Sequence, residues 1–282
     1  MKRAVHRDVA AGLVLAGMVN MIGAAAWANS GLKRLDDRSE LLGWEAVGKV
    51  QIGGSGFCTG VLIATDLVLT AAHCVYDRQS GKARDAGVFT FRAGWRDGKA
   101  IAEREVIAIA AHPGYDPAQP PSPEQIRADA ALLKLKQPIP AAVASPFALH
   151  SGARTGARVS VVSYGRGRES ALSWQRDCGL LGRRQGLMAF DCDVTFGSSG
   201  APVFVREGSR ARILSLISTG GAVSRGKVLA YGMELPMVVR ELKRGLRAAG
   251  PAIGNTGAKI RRLQVGQKSG ERRQIGARFI KP

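Results

Sequence analysis

Short apolar runs punctuated by Gly and Pro recur along the chain from Trp44 onward. The first set reads "AVGKVQIGG", "FCTGVLIA", "DLVLTAA", "VFTFRAG", "AIAEREVIAIAA" and "ALLKLKQPI", and a Pro-rich loop at residues 113–125 interrupts it. A second set reads "ARVSVVSYG", "GLMAFDCDV", "APVFVRE", "ARILSLIST" and "KVLAYGMEL". Runs of this length and spacing predict β-strands, and two sets of similar size predict two small barrels or sandwiches. The connection "QPIPAAVASPFALHSGART" carries three prolines and marks a domain boundary, giving units at 44–140 and 141–248. One stretch breaks the β pattern. "PMVVRELKRGLRAAG" opens on Pro236 and closes on Gly250-Pro251, and Val238, Leu242 and Leu246 form a stripe at helical spacing. The expectation is an all-β fold with one C-terminal helix.

Both ends of the chain depart from this pattern. Residues 1–28 combine a basic start, "MKRAVHR", with an apolar stretch and the small-x-small end Ala26-Trp27-Ala28. This predicts a signal peptide cut before Asn29, the alternative being a membrane anchor. Residues 29–43 are polar without a sustained period and predict a linker or short propeptide. Residues 249–282 include eight Lys/Arg and one Glu, either a polyanion-seeking arm or a solvated end. Net charge is +19, of which the leader accounts for only +2 (Lys2, Arg3 and Arg7 against Asp8). Such an excess raises nucleic-acid binding as a possibility, but no recognition motif accompanies it.

Export suits the cysteines. Cys58, Cys74, Cys178 and Cys192 allow three pairings, and two disulfides in an oxidising compartment is the plain reading. No zinc-type spacing exists among them, and with four histidines in the chain neither a metal site nor a cofactor is expected.

Candidate chemistry changes the picture most. "GFCTGVLI" followed by "VLTAAHC" places His73 beside Cys74, "RADAALLKL" places Asp129 before an apolar strand, and "CDVTFGSSGAP" carries two adjacent serines. Together with "AHPGYDP" and "VSYGRG", these segments resemble the chymotrypsin/trypsin-like serine proteases. They are most similar to secreted bacterial members near the glutamyl-endopeptidase branch. The resemblance covers residues 44–248 and implies two six-stranded antiparallel β-barrels followed by the helix. It implies a secreted or periplasmic, monomeric endopeptidase acting on proteins or peptides, with no membrane anchor once the leader is removed. His73, Asp129 and Ser199 would form the triad, and the N–H groups of Gly197 and Ser199 the oxyanion hole. Cys58 would pair with Cys74 and Cys178 with Cys192, and His112 would be structural. The competing reading is a catalytically silent, cationic homologue that binds polyanionic surfaces.

Two departures from the family pattern matter. Ser198 stands where most animal relatives carry an Asp that receives a freshly cut N-terminal amine, and no Arg/Lys-Ile-Val-Gly-Gly sequence precedes Trp44. Activation through a new N-terminus is therefore not expected. Asp193, six residues before Ser199, occupies the register of a basic-residue preference, although glutamyl-specific relatives also have an Asp there. "SLISTGG" lacks the pocket histidine of those relatives, which leans the expectation toward Lys or Arg at the cleaved bond. Ser218, Thr219 and Gly220 resemble the wall that lines substrate backbone and pocket.

Overall fold

The computed structural model describes residues 31–248, apart from 55, 208, 209, 225 and 226. The expected signal peptide and basic tail lie outside the described residues. Among those described, no helix is long and apolar enough to cross a membrane.

Strands β2 (Val47–Ile52), β3 (Gly56–Ala64), β4 (Leu67–Thr70), β5 (Phe89–Ala93), β6 (Ala102–Ala111) and β7 (Ala131–Leu135) close into a barrel in the order β2-β3-β4-β7-β6-β5. Its interior is filled by Val50, Leu62, Val68, Phe89, Phe91 and Leu133, which share one face of the sheet by register and have no measurable exposure. Small residues let the strands approach. A Cβ on Gly60 would meet Val50 Cγ2 and Val68 Cγ1 at 2.8 Å.

The second unit differs from the closed barrel that the family resemblance implies. Strands β8 (Arg158–Ser163), β9 (Ser173–Arg184), β10 (Leu187–Phe190), β11 (Pro202–Glu207), β12 (Arg210–Leu216), β13 (Thr219–Ser224) and β14 (Lys227–Met233) run in the order β12-β11-β8-β9-β10-β14-β13. β12 and β13 end this path without pairing to each other. The sheet still curls over, helped by register shifts in β9–β10, β11–β12 and β13–β14. Individual bonds replace a ladder at the seam: Ser215 Oγ donates to Met233 O at 2.8 Å and Ser218 N to Tyr231 O at 2.9 Å. Gly232 faces Leu216 O so closely that any side chain there would collide with it.

The segment expected as a linker is part of the fold. β1 (Leu32–Arg34) pairs antiparallel with β9, Leu35 N donates to Leu172 O at 2.9 Å, and Leu35 and Leu41 are buried. Trp44 follows and joins the two units, with ring centroids 5.3 Å from Trp174, 5.0 Å from Phe204 and 6.0 Å from Phe147. Among the described residues, two α-helices complete the fold. α1 (Pro123–Ala128) lies at the end of the Pro-rich loop, with Ser122 Oγ accepting from Gln125 N at its start. α2 (Leu235–Ala248) is the expected C-terminal helix, but its face is rotated: Leu235, Val239 and Leu242 are buried, not Leu246.

If the 29–43 segment were only a tether, truncating a side chain in it would leave stability unchanged. Leu35→Ala is instead expected to cost about 2–5 kcal/mol, as for other buried Leu→Ala changes, seen as a lower urea midpoint at unchanged slope.

Candidate active site

His73 sits in a short 3-10 turn, Ala72–Val75, that follows β4 directly. The Cys58–Cys74 disulfide ties this turn back to β3. Asp129 is the residue that ends α1, and it leads through Ala130 into β7, the strand paired with β4. The two residues therefore arrive on neighbouring strands of one barrel although 56 positions separate them. Asp129 Oδ2 lies 2.7 Å from His73 Nδ1, and Asp129 Oδ1 accepts from the His73 backbone N–H at 2.8 Å. Ser218 Oγ reaches across from the second unit and donates to Asp129 Oδ2 at 2.6 Å. The Asp129 side chain is only 4% exposed, so this burial is compensated by three donors. With Nδ1 engaged, Nε2 of His73 is the ring nitrogen left to face the cleft.

Ser199 is carried on the loop between β10 and β11, and that loop is anchored at almost every residue. Thr59 of β3 is the hub. Its N–H donates to Ser199 O at 2.9 Å, its Oγ1 donates to Gly197 O at 2.8 Å, and the same Oγ1 accepts from Tyr164 N at 3.1 Å. Arg166 N donates to Phe196 O at 2.7 Å, and Gly200 N to Ile217 O at 2.7 Å. Gly197 (φ +93°) and Gly200 (φ +75°) hold left-handed backbone, and a Cβ at either would strike packed atoms: Phe57 Cζ at 2.6 Å, or Ala71 N at 2.8 Å. Among the described residues, neither Gly197 N nor Ser199 N donates to a protein acceptor.

Ser198 is fully buried, and its hydroxyl is engaged with the turn at 163–168. It donates to Tyr164 O at 3.0 Å and accepts from Arg168 Nη2 at 3.0 Å. The same guanidinium donates to Ser163 O at 2.7 Å and Ser163 Oγ at 3.0 Å. Burial pulls the Arg168 guanidinium below its ordinary range, opposed by the charges of Asp193 and Glu169. So the position that carries an acid in many relatives is here a hydroxyl bound to an internal arginine. Asp193 itself is exposed, its N–H donates to Gln175 Oε1 at 2.6 Å, and its charge acts on Arg168. It is not among the residues lining the cleft.

Two cavities meet at His73 and Ser199. One, of about 320 Å³, runs between Val194–Phe196 and Ile217–Gly220, with Tyr115 and α1 on its far side. Ser218, Thr219 and Gly220 line this cavity. Burial first, and then the charge of Asp129, pushes the Tyr115 hydroxyl up to about 12, so it stays protonated at neutral pH. The other cavity, of about 310 Å³, lies over Phe57 and the Cys58–Cys74 bridge. Cys58, His73 and Cys74 bring potential metal-ligating atoms within 4.8 Å of one another, but both sulfurs are spent in the disulfide. The second bridge, Cys178–Cys192, fastens β9 to the start of the Ser199 loop. Thr59 and Arg168 were not candidates from sequence. The Thr next to Cys58 inside "FCTG" was the available signal for the first, and nothing local marked the second.

Comparison with known proteins bears on the fold and the family. A glutamyl endopeptidase structure, solved in complex with MPD, superposes with a TM-score of 0.64 at 18% identity, covering 78% of this chain and 98% of that one. The protease Anisep from Arthrobacter nicotinovorans gives 0.59 at 18% identity over 77% and 99% of the two chains. Among curated proteins, Serine protease 56 of Mus musculus is 33% identical over 112 residues, 39% of this chain, and the match spans only 17% of that protein. The trypsin-like peptidase domain family matches residues 58–210, from the first cysteine of the His73 disulfide to the start of β12. With that match across more than half its length, and with the chymotrypsin-like fold around it, the chain belongs to the trypsin-like peptidase domain family.

Proposed function

We propose that the protein is a secreted serine endopeptidase that cleaves peptide bonds through an acyl-enzyme on Ser199. The observation that carries this reading is the Asp129–His73 pair, closed by Ser218, opening onto Ser199 where the two cavities join. Ser199 Oγ attacks the substrate carbonyl carbon while its proton passes to His73 Nε2. The carbonyl oxygen becomes an oxyanion within reach of the N–H groups of Gly197 and Ser199, which are not engaged by protein acceptors. Collapse breaks the C–N bond, and the leaving amine takes the proton from His73. Water then repeats the sequence on the ester and restores Ser199. Asp129 keeps the Nδ1–H tautomer in place and offsets the transient imidazolium charge.

The bonds from Arg168 to Ser163 and Ser198 support a Ser199 loop that is ordered without a newly cut N-terminus. Export is supported by the leader sequence and by two disulfides. Asp193, facing Arg168 at the surface, gives a Lys/Arg preference no support from the cleft. Contact with polyanions through the 249–282 tail stays a proposal resting on its charge alone.

A fluorophosphonate probe tests the reaction directly. Wild-type protein is expected to label, Ser199→Ala to lose labelling entirely, and Ser198→Ala to keep it; folded wild-type protein that does not label would leave only the silent homologue. Asp129→Asn is expected to lower kcat by about 10⁴ on a cleaved peptide with the fold intact, because the wrong tautomer is then favoured.

Gly200→Ala separates loop geometry from chemistry. Its strained backbone and collision with Ala71 N and the Thr59 carbonyl are expected to cost at least about 2 kcal/mol, read as a fall in Tm, alongside lost labelling.

A further inference from the structure

The half of the cleft over the Cys58–Cys74 bridge differs in charge from the half along Ser218–Gly220. Its lining includes Arg84, Arg166 and Glu169, together with Arg78, which stands between the halves and lines the other one too, beside Asp77. Arg84 is answered locally, with Nη2 2.7 Å from Asp77 Oδ2. Arg78 is exposed and has no acidic partner among the described residues. Arg166 is also exposed, and its guanidinium lies over the Phe196 ring with 4.3 Å to the centroid. Its backbone N–H is bonded to Phe196 O as well, so the side chain is presented on the cleft wall from a fixed base. Lys49 adds a further positive charge behind this wall, with Nζ 4.4 Å from the Phe57 ring centroid. Against these three cations stands Glu169, whose carboxylate accepts from Gly167 N at 2.8 Å and whose charge acts on both Lys49 and Arg166. The local balance is positive, in a concave site where low-dielectric walls strengthen a charge's reach.

A peptide crossing Ser199 in extended form advances about 3.3 Å per residue and must occupy both halves. If the acyl portion runs along Ser218–Gly220, as the family resemblance implies, the segment released as the amine lies over Phe57 and the disulfide. We propose that this half-cleft is a subsite for acidic side chains in the first residues after the scissile bond, with Arg166 and Arg78 as the carboxylate-binding groups. The planar guanidinium of Arg166, stacked on Phe196, offers paired N–H donors matched to an Asp or Glu carboxylate. The inference rests on the endopeptidase reading and adds a substrate class to it.

The test uses the full-length protein and internally quenched peptides that share one acyl-side sequence. Asp, Glu, Ala or Lys is varied at each of the three positions following the cleaved bond. Titration with a fluorophosphonate counts competent sites, so kcat/KM is compared per active site for each variant. Acidic residues are expected to be favoured over Ala by about three- to tenfold at one of these positions, and Lys disfavoured, with the contrast shrinking as salt rises. Arg166→Gln should remove most of this preference, Arg166→Lys should restore part of it, and Glu169→Gln should enlarge it. Equal rates across the series, or preference for Lys through Glu169, would overturn the inference while leaving the endopeptidase reading in place. Absence of both cleavage and Ser199-dependent labelling would overturn that reading, and the inference with it.

Discussion

Asp129 brings a carboxylate into the seam between the two halves of the molecule, where three donors meet it from two sides. His73, in the turn after β4, supplies both its backbone N–H and its ring, and Ser218 enters from the second sheet. An ionised group this deeply buried tolerates no missing partner, since removing one donor leaves charge in a poorly solvating site. The turn carrying His73, the end of α1 and the β12–β13 connection must therefore all be in register before the seam can close. Single backbone bonds such as Ser218 N to Tyr231 O hold the β12–β13 connection against β14, while the Ser218 side chain is separately available to Asp129.

Thr59 performs the corresponding task for the nucleophile loop. A β-strand residue would ordinarily spend its backbone on its neighbours, but Thr59 N–H and Oγ1 both point at the loop, and its carbonyl accepts from Thr70 Oγ1 at 2.8 Å. The loop carrying Ser199 is thus hung from the first barrel while Arg168 braces it from the second. That division explains why Gly197 and Gly200 are both required. Each lies where barrel atoms approach within contact distance of the backbone, in conformations that other residues adopt only with strain.

The features legible in the sequence are those whose determinants are local. His73, Asp129 and Ser199 announce themselves because each sits in a short motif whose small residues and apolar flanks serve one turn. The strands of the first barrel are legible as short apolar runs between turns. What escaped is non-local. β9 is interrupted by Gly179, Gly182 and several arginines, which obscure its alternation, and it becomes a strand by pairing with β8, β10 and β1. β1 was hidden in a polar segment whose few apolar residues, Leu35 and Leu41, find their core only in the fold. α1 was masked by the prolines before it, although Ser122-Pro123 is a sound helix start. Thr59 and Arg168 act on groups 138 and 30 residues away, distances at which no periodicity speaks.

Charge is where counting and placement diverge most. A net +19 predicts affinity for anything acidic, anywhere on the surface. Inside the site, however, much of the charge cancels in pairs. Arg84 is matched by Asp77, and the charges of Asp193 and Glu169 both bear on Arg168. An acid that registers by sequence position as a specificity group is in space exposed and off the cleft lining. The charge left over is small and lies on one side of Ser199, where Arg166 is fixed against Phe196. A selective electrostatic response needs charge of this kind, unpaired and held in place beside the reacting bond, because mobile surface lysines and arginines are screened within a Debye length. The discriminating quantity is therefore the local remainder after pairing, which only the folded arrangement defines.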